Sequence, residues 1–281
     1  MQLLTKTGRL FYAIGIIALG IHQLVIKDFR PEILPPFPAW AHQYRVFPIM
    51  SGIILLFAGI IISGLFKIKP ATAKTVCLYL GFSFLALILS CHLTYILLFS
   101  HDKASGLDVW FGPGEALAYS GGAFVMAGSF SVNNFRRDRK DLVELLSEKL
   151  IPTGRIFYAV LIILFGCSHF VFAGFVSTMV PKWFPAPMFW TYFVGVALIG
   201  SGLAIIFKIF IKPIALVLAG MLFLFFILFH IPDAIANPNQ GGGNEIVRAI
   251  VALLFCGIAL VIAATNGTGL IKGNDRAVER G

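Results

Sequence analysis

Eight apolar runs, each about 17–25 residues long, dominate this chain and confine it to one class of fold. They lie near Leu10–Ile26, Phe47–Phe66, Thr75–Phe99, Gly114–Val132, Ile156–Phe175, Phe189–Phe207, Ile214–Ile231 and Ile246–Ala264. A helix rising about 1.5 Å per residue crosses a hydrocarbon core of about 30 Å in about 20 residues. In lipid every backbone polar group must be bonded internally, so such runs read as helices. The expected fold is all-α: a polytopic membrane protein with eight transmembrane helices. Composition agrees, with 58% hydrophobic and 12% charged residues, against about 25% charged in soluble domains. That excludes a soluble enzyme, intrinsic disorder and a disulfide-stapled secreted domain.

Charge orients the chain. Sixteen of the 22 Lys and Arg fall on the side that holds both termini, so the positive-inside rule places both termini in the cytoplasm of a multi-pass cell-membrane protein. The net charge of +9 is therefore a topology signal. It forms no continuous basic face, and no nucleic-acid partner is expected. The four cysteines (Cys77, Cys91, Cys167, Cys256) lie inside apolar runs, without metal-ligand spacing, and read as packing residues. No metal site is expected.

The chain also repeats itself. Thr7-Gly8-Arg9-Leu10-Phe11-Tyr12-Ala13 returns as Thr153-Gly154-Arg155-Ile156-Phe157-Tyr158-Ala159. The motif's mid-chain return marks the first apolar run as a retained helix and not a cleaved signal peptide. Gly20 pairs with Gly166, Gly52 with Gly195 and Gly59 with Gly202. His92 can be set against His230, and Glu115 against Glu245. With four spans per half, the halves insert the same way up, as parallel repeats. The expected organisation is a four-helix unit over 1–133, a cytoplasmic amphipathic linker over 134–152, a second unit over 153–267 and a cytoplasmic tail over 268–281. The two units are expected as two four-helix bundles.

Ionisable residues inside a membrane are costly and are functional candidates by default. His22, His92, His169 and His230 come from four different spans and fall in the outer leaflet, about 20–25 Å from the cytoplasmic interface at helical rise. Glu115 and Glu245 start their spans from that same side. The expected site is an outer-leaflet cup that pairs His92 with Glu115 and His230 with Glu245. The plainer reading is a set of histidines bonded to carbonyls and glutamates placed at positive helix ends. The register is also imperfect, since His22 matches Ser168 and Gln23 matches His169. Proline- and aromatic-rich loops, Pro31 to Trp40 and Val180 to Trp190, face the same side. Prolines stiffen them, and Trp183, Trp190 and Tyr192 suit the headgroup layer. They form an aromatic belt or a rigid lid over the cup.

No phosphate loop, dinucleotide glycine pattern, HExxH or nucleophile elbow is present. The pattern Gly154-Arg155, His169, Val180-Pro181-x-Trp183-x-Pro185, Phe189-Trp190-x-Tyr192, Gly195, Gly202, His230–Pro232 and Asn244-Glu245 resembles the DoxX/DoxD-like integral membrane proteins. Members usually have four spans, so the chain resembles two fused units, with the second the better match. The resemblance implies a subunit of a membrane redox assembly, of the thiosulfate:quinone oxidoreductase type, with quinone as the expected cofactor and a redox protein as partner. Two further readings stand beside it: a non-catalytic membrane scaffold and a small-molecule transporter. Whether the chain is itself an enzyme stays open at this point.

Overall fold

A computed structural model describes residues 1–100, 103, 106–130, 142–181, 183–240 and 243–265. Linker residues 134–141 and the tail 268–281 lie outside the described residues. Within them the chain is helical throughout, with no strand. In order come α1 (Gln2–Ile26), α2 (Ala39–Gln43), α3 (Val46–Ile62), α4 (Pro70–Leu87), α5 (Leu93–Phe99) and α6 (Phe111–Ser129). The second half follows with α7 (Leu142–Val171), α8 (Ala173–Thr178), α9 (Pro187–Phe207), α10 (Ile211–Phe225), α11 (Ile231–Ala236) and α12 (Asn244–Thr265). Prolines Pro70 and Pro187 open α4 and α9, where a missing amide hydrogen costs nothing. Residues 142–152, expected in the linker, run without interruption into the span of α7.

Among the described residues, six helices are long and apolar enough to cross a membrane, counting α4–α5 and α10–α11 as single continuous stretches. The sequence pattern leads one to expect eight. The shortfall falls on α3, whose 17 residues reach only about 26 Å, and on α6. That helix is rich in Gly, Ala and Ser, and its interior positions are buried by neighbouring helices, so it is built for packing more than for facing lipid.

The helices also pair differently from two self-contained bundles. Within each half, α1 packs on α3, α4 on α6, α7 on α9 and α10 on α12. Across the halves, α1 lies along α12 and α7 lies along α6. Glycines cause this exchange. A Cβ on Gly8 would sit 2.7 Å from the Gly257 carbonyl, and Gly121 and Gly154 face each other's carbonyls in the same way. Without side chains at these crossings the backbones come close enough for dispersion to hold the helices together. Two buried tyrosines then tie first to last helix inside each half. The Tyr12 hydroxyl donates to Tyr119 O at 3.0 Å, and the Tyr158 hydroxyl to Phe255 O at 3.1 Å. The Tyr119 and Phe255 rings stack between α6 and α12 at 6.0 Å. Cys77, Cys91 and Cys256 are buried free thiols among these apolar side chains.

At the termini end, Arg9 caps α6: its guanidinium donates to Ser129 Oγ and Ser129 O and covers the Phe130 ring. The opposite end, here the distal end, carries the α1–α2 loop, the α8 segment and the chain between α11 and α12. There the stretches α4–α5 and α10–α11 each pass through one π-helical turn, Ile88–His92 and Phe226–His230, ending on a histidine. An inserted π turn re-aims the side chains that follow it and frequently marks a functional site.

Candidate functional site at the distal end

The loop after α1 turns inward. Lys27 adopts a left-handed conformation that ends the helix, and residues 30–34 then enter the bundle. Arg30 and Glu32 are each only 7% exposed, and Arg30 Nε donates to Glu32 Oε1 at 3.3 Å. Charges this deep persist only when paired. Beyond them, Ile33 O meets His92 Nε2 at 3.3 Å, and Gly112 leaves room for Pro31 O against α6. A cavity of about 170 Å³ remains between this loop and α5, bordered by Pro35, His92, Tyr95 and Asp108.

Glu115 lies just over one turn into α6. Its charged neighbours are Glu32 and Arg30 from the loop and Arg248 from α12, and it accepts the Tyr119 hydroxyl at 3.4 Å. Arg248 links this group to the second half by donating from Nη1 to Glu245 Oε1 at 2.6 Å. Asp233 of α11 sits beside Glu245, and its Oδ1 accepts Asn237 Nδ2 at 2.7 Å. His230 has Arg248 and Asp233 as charged neighbours. His22 completes the group next to Arg30. Gly243, at φ +87°, passes so close that a Cβ there would lie 2.6 Å from His22 Nε2. Only glycine suits both demands.

Among the expected site residues, the structure therefore brings His22, Glu115, His230 and Glu245 into one polar cluster that spans both halves. His92 lies at its edge and is bonded to the loop. His169 does not join: its Nδ1 pairs with Phe165 O at 2.7 Å in its own helix, beside Gly195 of α9. Trp183, Trp190 and Tyr192 form a separate aromatic patch. Trp190 packs against Phe184, Phe189 and Phe193, Tyr192 against Phe170, and Trp183 is 67% exposed. The glycine crossings give a different repeat register from the one that sets Glu115 against Glu245. With Gly121 matched to Gly257, Glu115 falls level with Val251 and Glu245 level with Val109.

Arg30, Glu32, Tyr119, Asp233 and Arg248 belong to the cluster, yet none was expected. Glu245 and Arg248 stand three apart, a helical neighbour spacing that was available as a signal. Nothing in the sequence announces that a proline-rich loop would bury Arg30 and Glu32.

Two atoms of the cluster lack a partner. Glu245 is 4% exposed, and among the described residues its Oε2 accepts no hydrogen bond; His22 is 9% exposed, with its Nδ1 likewise unpartnered among them. Beside them, an apolar groove of about 370 Å³ runs between α1, α11 and α12, lined by Ile14, Ala18, Ile235, Ala249 and Leu253 among others. Asp233, Glu245 and Arg248 each directly precede a groove-lining residue in the chain, while the lining itself is apolar.

Residues 150–231 match the DoxX family model. No curated protein and no solved structure matches the chain. The matched segment takes in His169, the aromatic patch and His230, and stops short of Glu245. The second half of the chain is thus similar to the DoxX family over residues 150–231.

Proposed function

We propose that this protein is an eight-span integral membrane subunit, duplicated from a four-helix unit, with both termini in the cytoplasm, that binds a quinone-like lipophile for a membrane redox assembly. The supporting observation is the apolar groove, whose lining residues Ile231, Ala234, Ile246 and Ala249 each follow directly in the chain on a member of the polar cluster, His230, Asp233, Glu245 and Arg248. Its volume falls in the range of about 300–1,000 Å³ usual for small-molecule sites, which combine apolar walls with a few polar groups. An isoprenoid or acyl tail fits along Ile14, Ala18 and Leu253, and a carbonyl or hydroxyl head faces the polar cluster. Histidine and carboxylate side chains there can exchange protons with such a head.

The test is a titration of nanodisc-embedded protein with a short-chain benzoquinone, read by quenching of intrinsic fluorescence. Saturable quenching is expected. Ala249→Phe, which fills the groove, should abolish saturation, and His230→Ala should weaken binding about ten-fold, or about 1.4 kcal/mol. Linear, unsaturable quenching that is identical in all three proteins would remove the proposal.

A further inference from the structure

The geometry points to a proton-binding site at the distal end, in which the carboxyl groups of Glu245, buried, and Asp233, half-buried, share one exchangeable proton. Three observations carry it. First, Glu245 Oε1 is fully engaged by Arg248 at 2.6 Å, whereas Oε2 has no donor although the side chain is almost wholly buried. Second, the group beside Glu245 is itself a carboxyl: Asp233, anchored through Oδ1 by Asn237. Two carboxylates present only acceptors to one another, so they bond only when one carries a hydrogen. Third, the charges do not balance. The cluster gathers Glu32, Glu115, Asp233 and Glu245 around two guanidinium groups, Arg30 and Arg248.

Every element packed around the pair contributes to this accounting. From α12 comes Arg248, already bonded to Glu245 and also facing Glu115 of α6. From the π turn before α11 comes His230, a neighbour of both Arg248 and Asp233. The α1–α2 loop supplies Arg30 and Glu32, which offset each other, and α1 supplies His22 against Arg30. Arg248 is the guanidinium group that acts on Glu245 among the described residues. One hydrogen held between the two carboxyl groups replaces the repulsion of two carboxylates by a hydrogen bond. The step is simple: water at the distal end delivers a proton to Glu245 Oε2, and the resulting O–H donates to the Asp233 carboxylate. Nothing else is consumed. Glu245 is also part of the proposed ligand site, so the proton is sought in the ligand-free protein, where the two readings separate.

The experiment is infrared pH-difference spectroscopy on the full-length, ligand-free protein in nanodiscs, recorded in H2O and D2O. A protonated-carboxyl C=O band that shifts in D2O and disappears at alkaline pH is expected. Glu245→Gln and Asp233→Asn should each abolish it, whereas Glu115→Gln should leave it. Thermal unfolding checks that each variant is folded, and a misfolded Glu245→Gln leaves Asp233→Asn to decide from the other side of the pair. Absence of an exchangeable band from the wild-type protein overturns the inference. So does a band that survives both pair substitutions, one lost only in Glu115→Gln, or a sodium-dependent rise in unfolding temperature with no band at any pH.

Discussion

Between α1 and α3 the chain tucks Arg30, Glu32, Ile33 and Leu34 into the bundle, whereas the matching stretch between α7 and α9 leaves Phe175 and Trp183 outside. The charged loop is inside and the aromatic loop is outside, the reverse of the arrangement in a soluble protein. The surroundings explain it. At a membrane interface, Trp and Phe are at home on the surface, while a guanidinium and a carboxylate in the bundle hold each other and the groups around them. The first half therefore closes over its own histidine, His92, with a main-chain carbonyl. In the second half, His230 stands beside an open groove and makes no hydrogen bond among the described residues. Two related segments have thus been put to different uses, one as a plug and one as a mouth.

The strongest way to break this contrast is to remove one charge from the buried loop. Glu32→Ala leaves Arg30 without its nearest counter-charge, and a loss of about 3–5 kcal/mol in unfolding free energy is expected from chemical denaturation in micelles. An intermediate effect should come from the tyrosines, where the halves are alike. Tyr12→Phe and Tyr158→Phe each delete one buried hydroxyl-to-carbonyl bond, and each should cost about 1 kcal/mol. Equal losses would show that the contrast is confined to the distal loops; unequal ones would extend it to the helix seams. The smallest effect belongs to the exposed loop. Trp183→Ala should change stability by under about 0.5 kcal/mol in the same assay, and a larger loss would mean that the second loop is anchored after all.

Helix existence was legible because it depends on local apolar periodicity and run length, and each of the eight runs contains a helix among the described residues. The glycine pairs were legible as well: Gly20 meets the Gly52 carbonyl and Gly166 the Gly195 carbonyl, at positions the internal repeat had matched. Partner choice was not. Whether α1 lies along α6 or α12 is decided by tertiary fit between backbones, and Gly8 gives no hint that Gly257 is its counterpart. The site was read in part. His22, Glu115, His230 and Glu245 stood out because ionisable residues are scarce in the spans. His169 stood out for the same reason, yet it bonds within its own helix. The loop residues that complete the cluster escaped, since burial of Arg30 and Glu32 follows from their mutual pairing and from the turn at Lys27, neither of which has a sequence signature.

The crosswise packing of α1 on α12 and of α7 on α6 has a consequence for assembly. A segment containing only α1 to α6 would present Gly8 and Gly121 to lipid, and could cover them only by finding a second such segment in the bilayer. Joining the halves in one chain turns that search into an intramolecular event, with an effective concentration in the millimolar range for a short connection. Formation of the distal cluster then no longer depends on how much protein the membrane contains. It also lets the two halves diverge: because each always meets the other and never a copy of itself, one could acquire a plug while the other kept a mouth.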